Sequence, residues 1–155
     1  VWLPSGNLIS GGTYFLQSSP DTTITSPGNA KHLITVTAYN QNSNSVLIES
    51  ERGYSRTGKV KPTLAAPGFE LTCAAPLGGY SSYTGTGAAA AQTSGIVAMI
   101  LEWAVIRGNY SQITGNDISN MLQRAAQRNE ALTYPNNIWG YGMVNVNNLF
   151  DSLSL

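Results

Sequence analysis

The sequence contains one cysteine, Cys73, and one histidine, His32, among its 155 residues. A single cysteine excludes an intramolecular disulfide and a cysteine-rich zinc site, and it leaves the redox compartment open. Charge is also scarce: charged residues make up 10% of the chain, with 8 basic and 8 acidic side chains and no net charge. No net field therefore draws the chain towards nucleic acid, an anionic membrane or a polyacidic substrate, and partners must be recognised by shape. Long hydrophobic runs are missing as well. The most apolar stretch, Gly95 to Ile106, is interrupted by Glu102 and falls short of the roughly twenty residues that cross a bilayer, so it reads as a buried helix. Val1 to Gly6 carry no signal-peptide pattern and open abruptly, as expected of a segment that starts inside a domain. Apart from Ala88 to Ala91 there is no low-complexity tract, and no repeat or charge block is visible.

What is present suits one compact unit, since 42% of the residues are hydrophobic. Residues 1 to 26 mix short apolar runs (Asn7-Leu8-Ile9, Tyr14-Phe15-Leu16) with Gly, Ser, Pro and Thr, a pattern of short strands and turns. Leu33 to Tyr39 is β-branched and nearly continuous in apolar character, which predicts an interior strand. Pro62 and Pro67 bracket a run too short for a long central strand. Glu70 to Ala75 predicts another short strand, and Leu77-Gly78-Gly79-Tyr80 a turn leading to Gly85. From Ala88 to about Arg107 the spacing of Val97, Ile100, Leu101, Ala104 and Val105 predicts a helix, with Ile96, Met99 and Trp103 placing apolar bulk round most of its circumference, as if buried nearly all round. Thr114 before Asn116-Asp117 predicts an N-cap, followed by an amphipathic helix with Ile118, Met121, Leu122 and Ala125 on one face and its end near Arg128. Ile138 to Val144 predicts a short extended segment, and Asn145 to Leu153 a last helix. The succession is α/β.

The chemistry is expected where Gly85-Thr86-Gly87 opens into that long helix, because helix N-termini attract anions and stabilise oxyanions. Gly85-x-Gly87-x-x-Ala90 fits a dinucleotide fingerprint, with Glu102 near the offset of a ribose-binding acid. The context opposes it: Gly79 to Tyr83 is no buried parallel strand, and another helix follows instead of a returning strand.

The same turn resembles the nucleophile loop of subtilisin-like serine proteases, G-T-S-x-A-A followed by histidine and V-A-G. Lys61-Pro62-Thr63-Leu64-Ala65-Ala66-Pro67-Gly68 resembles that family's K-P-D-L-A-A-P-G, and Gly140-Tyr141-Gly142-Met143-Val144-Asn145-Val146 resembles its closing G-x-G-x-x-N/D-V. Ser26 to Ala30, Ser50 to Tyr54, Leu101-Glu102-Trp103 and Thr133 to Asn136 are similar to the Csp subtilases of clostridial spore germination, most of all to their catalytically defective members. The resemblance implies a subtilisin-like parallel sheet with helices on both faces, residues 22–155 being the C-terminal part of that domain. It implies that residues 1–21 end an inserted jelly-roll domain, with its last strands there. It further implies a protein of the bacterial spore cortex or coat region that takes no cofactor and no metal. The implied partners are the rest of the protease domain with its propeptide and jelly-roll, other germination proteases and a small-molecule germinant, with no nucleic acid and no membrane span.

This sequence departs from the family pattern at the chemistry. Gly87 stands where active members carry the nucleophilic serine, and glycine has no oxygen with which to form an acyl-enzyme. The catalytic set is therefore expected to be empty, with Gly87 a degenerate nucleophile position and the family's Asp and His upstream of this chain. Neighbouring hydroxyls are poor substitutes: Ser94 lies about 10 Å further along the helix at 1.5 Å per residue, and Thr86 is expected to cap the helix instead. Gln92 replaces the motif's histidine, Thr93-Ser94 its Val-Ala, and Thr63 its aspartate. Such scattered changes favour a regulatory pseudoprotease relaying the germinant signal over an endopeptidase inactivated by one serine-to-glycine substitution. His32 is expected to be a surface or strand-end side chain.

Overall fold

The computed structural model describes residues 10–153. The strand signal of Asn7 to Ile9 lies outside these, and residues 10–21 are exposed and form no strand. The body of the fold begins where Thr22 and Thr23 donate their amides to the carbonyls of Gly53 and Arg52.

Three strands form the central sheet in the order β2-β1-β3: β1 Val36–Asn40, β2 Ser45–Val46 and β3 Leu64–Pro67. β1 and β3 run parallel with Val36 opposite Leu64 and Ala38 opposite Ala66, while β2 pairs antiparallel along the other side of β1. β1 is thus the interior strand expected from its β-branched run, beginning later than Leu33. Pro67 ends β3, as a residue without an amide donor must at a ladder's limit. Ile138 to Val144 forms no strand, but Met143 makes single bridges to Ala65 and Gln127. The amide of Val144 donates to the Ala65 carbonyl and that of Ala65 to the Gly142 carbonyl, so this segment continues the sheet beyond β3.

Alternation along β1 and β3 sorts their side chains between two faces. Ala38 and Ala66 meet Ala89 of the long helix α1 (Thr86–Leu101), three small residues that bring the helix close to the sheet. On the same face Leu64 joins Ile100 of α1, Ile118 and Leu122 of α2 (Gly115–Ala125) and Leu149 of α3 (Val146–Leu153) in the main core cluster. On the opposite face the Ser50 hydroxyl accepts from Thr37 Oγ1 at 2.8 Å and from the Ala38 amide at 2.7 Å, and the Tyr39 ring lies against Trp139 at 5.8 Å.

A two-stranded antiparallel ribbon, β4 Leu71–Ala74 and β5 Tyr80–Tyr83, leaves the end of β3 and returns to the start of α1. β4 was expected. β5 was not, because Tyr80-Ser81-Ser82-Tyr83 carries no apolar face and its side chains are exposed.

α1 continues into one π turn, Glu102–Ile106, giving an apolar rod of 21 residues that is long and apolar enough for a membrane span by length and composition. Its packing on β1 and β3 instead makes it a core helix. The expectation of burial nearly all round is not met: Ala89, Thr93, Ile100 and Ala104 are buried, whereas Met99, Leu101, Val105 and Ile106 are exposed. These residues supply a layer on only one side of the helix.

α2 carries a complete capping box. Thr114 Oγ1 accepts from the Asp117 amide at 3.3 Å, and Asp117 Oδ2 accepts from the Thr114 amide at 2.8 Å. The helix ends at Ala125 instead of near Arg128. Thr114→Ala is expected to lower stability by about 1 kcal/mol, read as a fall in the urea midpoint. The Thr114 contacts also hold the Asp117 carboxyl below its ordinary range.

Candidate functional site

The glycine turn is placed by a chain of backbone hydrogen bonds at the carboxyl end of β3. The Gly68 amide donates to the Tyr39 carbonyl at 2.9 Å, and the Gly85 amide donates to the Gly68 carbonyl at 2.8 Å. A Cβ on Gly68 would stand 2.6 Å from Ala38 Cβ and 2.9 Å from the Gly85 oxygen, so only glycine lets the turn sit this close to β1. Thr84 Oγ1 accepts from the Glu70 amide at 2.8 Å and ties the ribbon to the same place.

Gly85 is the N-cap of α1 with φ 145°, and the helix start receives no side-chain cap. The capping role expected of Thr86 is therefore not fulfilled. The chain enters the helix one residue earlier, so Thr86 is already its first helical residue. The Gly85 carbonyl accepts from Ala88 at 3.2 Å and Ala89 at 3.4 Å, while the Thr86 and Gly87 amides precede the intrahelical ladder.

Gly87 is exposed and its backbone does not require glycine. A Cβ built there would meet Tyr83 Oη at 3.5 Å and Tyr83 Cε1 at 3.8 Å, ordinary contact distances. A side chain could occupy position 87, and none does.

Thr86, Gly87, Ala90, Thr93, Ser94 and Val97 of α1 face Ile24, Thr25, Pro27, Gly28 and Leu33 to Val36 across an open cavity of about 540 Å³. Its one ionisable lining residue among the described residues, Glu51, accepts from Thr25 Oγ1 at 2.7 Å and from the Thr25 amide at 3.2 Å. Two hydroxyls further along the helix are occupied: Ser94 Oγ donates to the Ala90 carbonyl and Thr93 Oγ1 to that of Ala89, both at 2.9 Å. His32 is exposed and does not line the cavity, as expected of a lone surface histidine. Gln92 is exposed on the helix and also lies outside the lining.

Geometry also disposes of the dinucleotide reading. The strand before the turn is an exposed antiparallel one, and Glu102 sits in the π turn paired with Arg107 at 2.9 Å.

The sequence matches the subtilase family, peptidase S8, over residues 5–142. The chain belongs to that family. The structure of the Clostridium perfringens CspB protease superposes with a TM-score of 0.86 at 35% identity, over 92% of this chain and 31% of that one. The prenylagaramide maturation protease PagA and the self-cleaved protease domain of PatA share the fold, with TM-scores of 0.70 and 0.67, each at 22% identity. The match covers 86% of this chain and 47% of PagA, and 87% of this chain and 46% of the PatA domain. No curated protein matches the sequence. The chain thus spans about a third of the CspB structure and under half of the others, and its α/β fold corresponds to part of a subtilase domain.

Two residues of consequence were not singled out by sequence reasoning. Tyr83 puts its hydroxyl beside position 87, and no local sequence signal marks it. Lys61, quoted there only as part of a motif, is buried at 4% exposure, and its Nζ donates to the Leu33 carbonyl at 2.5 Å and to Thr35 Oγ1 at 3.0 Å. Burial, and secondarily the charge of Lys59, lowers its pKa from 10.5. Between that lowered value and 10.5 the unfolded chain retains a proton that the folded one has shed, so this group makes stability rise with pH. Burial of Tyr39 raises its pKa and works in the opposite sense above 10.0. Subtracting the profile of Lys61→Met from that of the unsubstituted protein in urea titrations from pH 8 to 11 is expected to leave a difference that rises with pH; a flat difference contradicts the assignment.

Proposed function

We propose that this chain is the C-terminal part of a subtilase-fold pseudoprotease that regulates bacterial spore germination by binding instead of cleaving. The observation that carries this reading is the empty position 87, where a side chain would fit without strain yet no attacking atom is present. Thr63 supports it. In place of the family's aspartate, its hydroxyl accepts from the Thr35 amide at 3.1 Å and serves to join β1 and β3. The motif resemblance to the Csp subtilases of clostridial spore germination, joined by likeness to the CspB protease, supports the placement in spore germination and the spore location.

The exposed flank of α1 at Met99, Leu101 and Val105 is proposed to be covered by the remainder of the same subtilase domain, since the CspB structure is about three times as long as this chain. Residues 1–21 are proposed to end an inserted jelly-roll, which fits the exposure of Tyr14 and Leu16 and the start of body contacts at Asp21, whose carboxylate accepts from Asn137 at 2.8 Å. The cleft beside Gly87 would hold a germinant or a peptide through its apolar walls and the helix amides, neither of which needs the nucleophile. The deciding experiment exposes the intact natural protein to a fluorophosphonate serine probe. Absence of label in this chain is expected, and labelling accompanied by peptide turnover overturns the proposal.

A further inference from the structure

A second cavity lies at the opposite end of the parallel pair, before β1 and β3 begin. It measures about 430 Å³, and Lys31, Lys59 and Lys61 line it together with Ser119, Gln123 and Tyr141. These are all three lysines of the chain. Among the described residues no carboxylate lines it and none of the three lysines forms an ion pair. An adjoining cavity shares Gln123 and Tyr141 and adds Arg124 and Arg128, again without an acid; Glu130 lines a third beyond Arg128. Five of the eight basic residues of a neutral, charge-poor chain therefore border two adjoining hollows.

Several groups there are held in place. Residues 55–59 close on themselves, with the Ser55 amide on the Lys59 carbonyl at 3.0 Å and the Lys59 amide on Ser55 Oγ at 2.9 Å, so Lys59 projects from a fixed loop. Lys61 spends two of its three ammonium protons on Leu33 and Thr35 and keeps one. Ser119 Oγ accepts from Gln123 Nε2 at 2.8 Å, which leaves its own proton to donate. Arg128 is braced by the Tyr141 and Gln123 carbonyls at 2.9 and 2.7 Å. Like charges set side by side without counter-charge repel one another, and a bound anion removes that cost.

We propose that this lysine-lined cavity binds a small multivalent oxyanion, a phosphate or polycarboxylate compound, at a site separate from the Gly87 cleft. The two sites share a wall, since Leu33 lines both cavities and Lys61 holds its carbonyl.

The test is calorimetric titration of the intact protein with pyrophosphate and, separately, with citrate, at a fixed ionic strength of about 0.1 M set with chloride to screen non-specific attraction. Saturable one-to-one binding of either is expected, and the stronger of the two identifies the anion's chemistry. Lys31→Gln and Lys59→Gln, both exposed and free of structural hydrogen bonds through their side chains, should each weaken binding about ten-fold, as loss of a charge-assisted contact does. The double variant should abolish it while the melting temperature without ligand holds or rises slightly, because two mutually repelling charges are gone. No saturable binding of either probe up to about 10 mM, or binding undiminished in the double variant, refutes the site. Neither outcome bears on serine labelling at the Gly87 turn, so the two proposals fail independently.

Discussion

The protein carrying this chain is expected to hydrolyse peptide bonds about a millionfold more slowly than a subtilase with serine at the place of Gly87, a barrier difference of about 8 kcal/mol. An acyl-enzyme needs an attacking oxygen or sulfur within bonding reach of the carbonyl carbon. At the turn the candidates are Thr86, which begins α1, Ser94, whose hydroxyl is bonded to its own helix, and Tyr83, whose hydroxyl lies beside position 87. None has a histidine of this chain beside it, because His32 does not line the cavity, and a general base would have to come from the rest of the domain. Helix amides and the cleft walls alone stabilise an oxyanion without creating one. Chromogenic peptide assays and fluorophosphonate labelling of the intact protein measure the deficit, and turnover within a thousandfold of an active subtilase would show that another nucleophile operates. Gly87→Ser makes the comparison sharper. Its Cβ would meet only Tyr83 at contact distance, so the melting temperature should hold or rise slightly, replacing glycine within a helix being favourable by about 0.5–1 kcal/mol. Any labelling gained by that variant then reports on the histidine and aspartate contributed by the rest of the domain.

Where local chemistry decides structure, the residues could be read directly. The Thr114 N-cap and the Ile118, Leu122, Ala125 stripe mark α2 in the sequence, and the structure places both as expected, adding the reciprocal bond from Asp117 and ending the helix at Ala125. β1 was legible from its β-branched run and β3 from its two prolines. Three features were not, each for a reason outside its own segment. The exposed flank of α1 depends on which other elements cover it, and an apolar circumference looks the same whether or not they do. Thr86 looked like a cap because threonine favours that place, but the bond from Gly85 to Gly68 fixes where the chain turns and moves the cap one residue back. β5 exists because β4 lies beside it, since Tyr80-Ser81-Ser82-Tyr83 has no pattern that demands a strand. At the site, Gly87 was legible through its motif, whereas the Tyr83 hydroxyl beside it and the lysine-lined cavity are products of folding. Lys31, Lys59 and Lys61 look unremarkable along the chain and converge only once β1 and β3 pair.

Leu64→Ala is expected to cost about 3–5 kcal/mol, the range for a fully buried leucine whose surroundings cannot collapse. Leu64 has no exposed surface, and it is the one β3 side chain in the cluster that also contains Ile100, Ile118, Leu122 and Leu149. Residues of three helices therefore share one cluster with this side chain. Collapse is hindered from the other end of the same face, because Ala38, Ala66 and Ala89 are already in contact and hold α1 at its closest approach. The helix cannot slide inward to fill the void without driving Ala89 into the sheet. Against a total stability of roughly 5–15 kcal/mol the loss is large, and it should appear as a fall in the urea midpoint with the slope unchanged. A loss under about 1 kcal/mol would mean that α1 relaxes freely on the sheet. That would also undo the rigid placement of the Gly87 turn, because the same helix carries both.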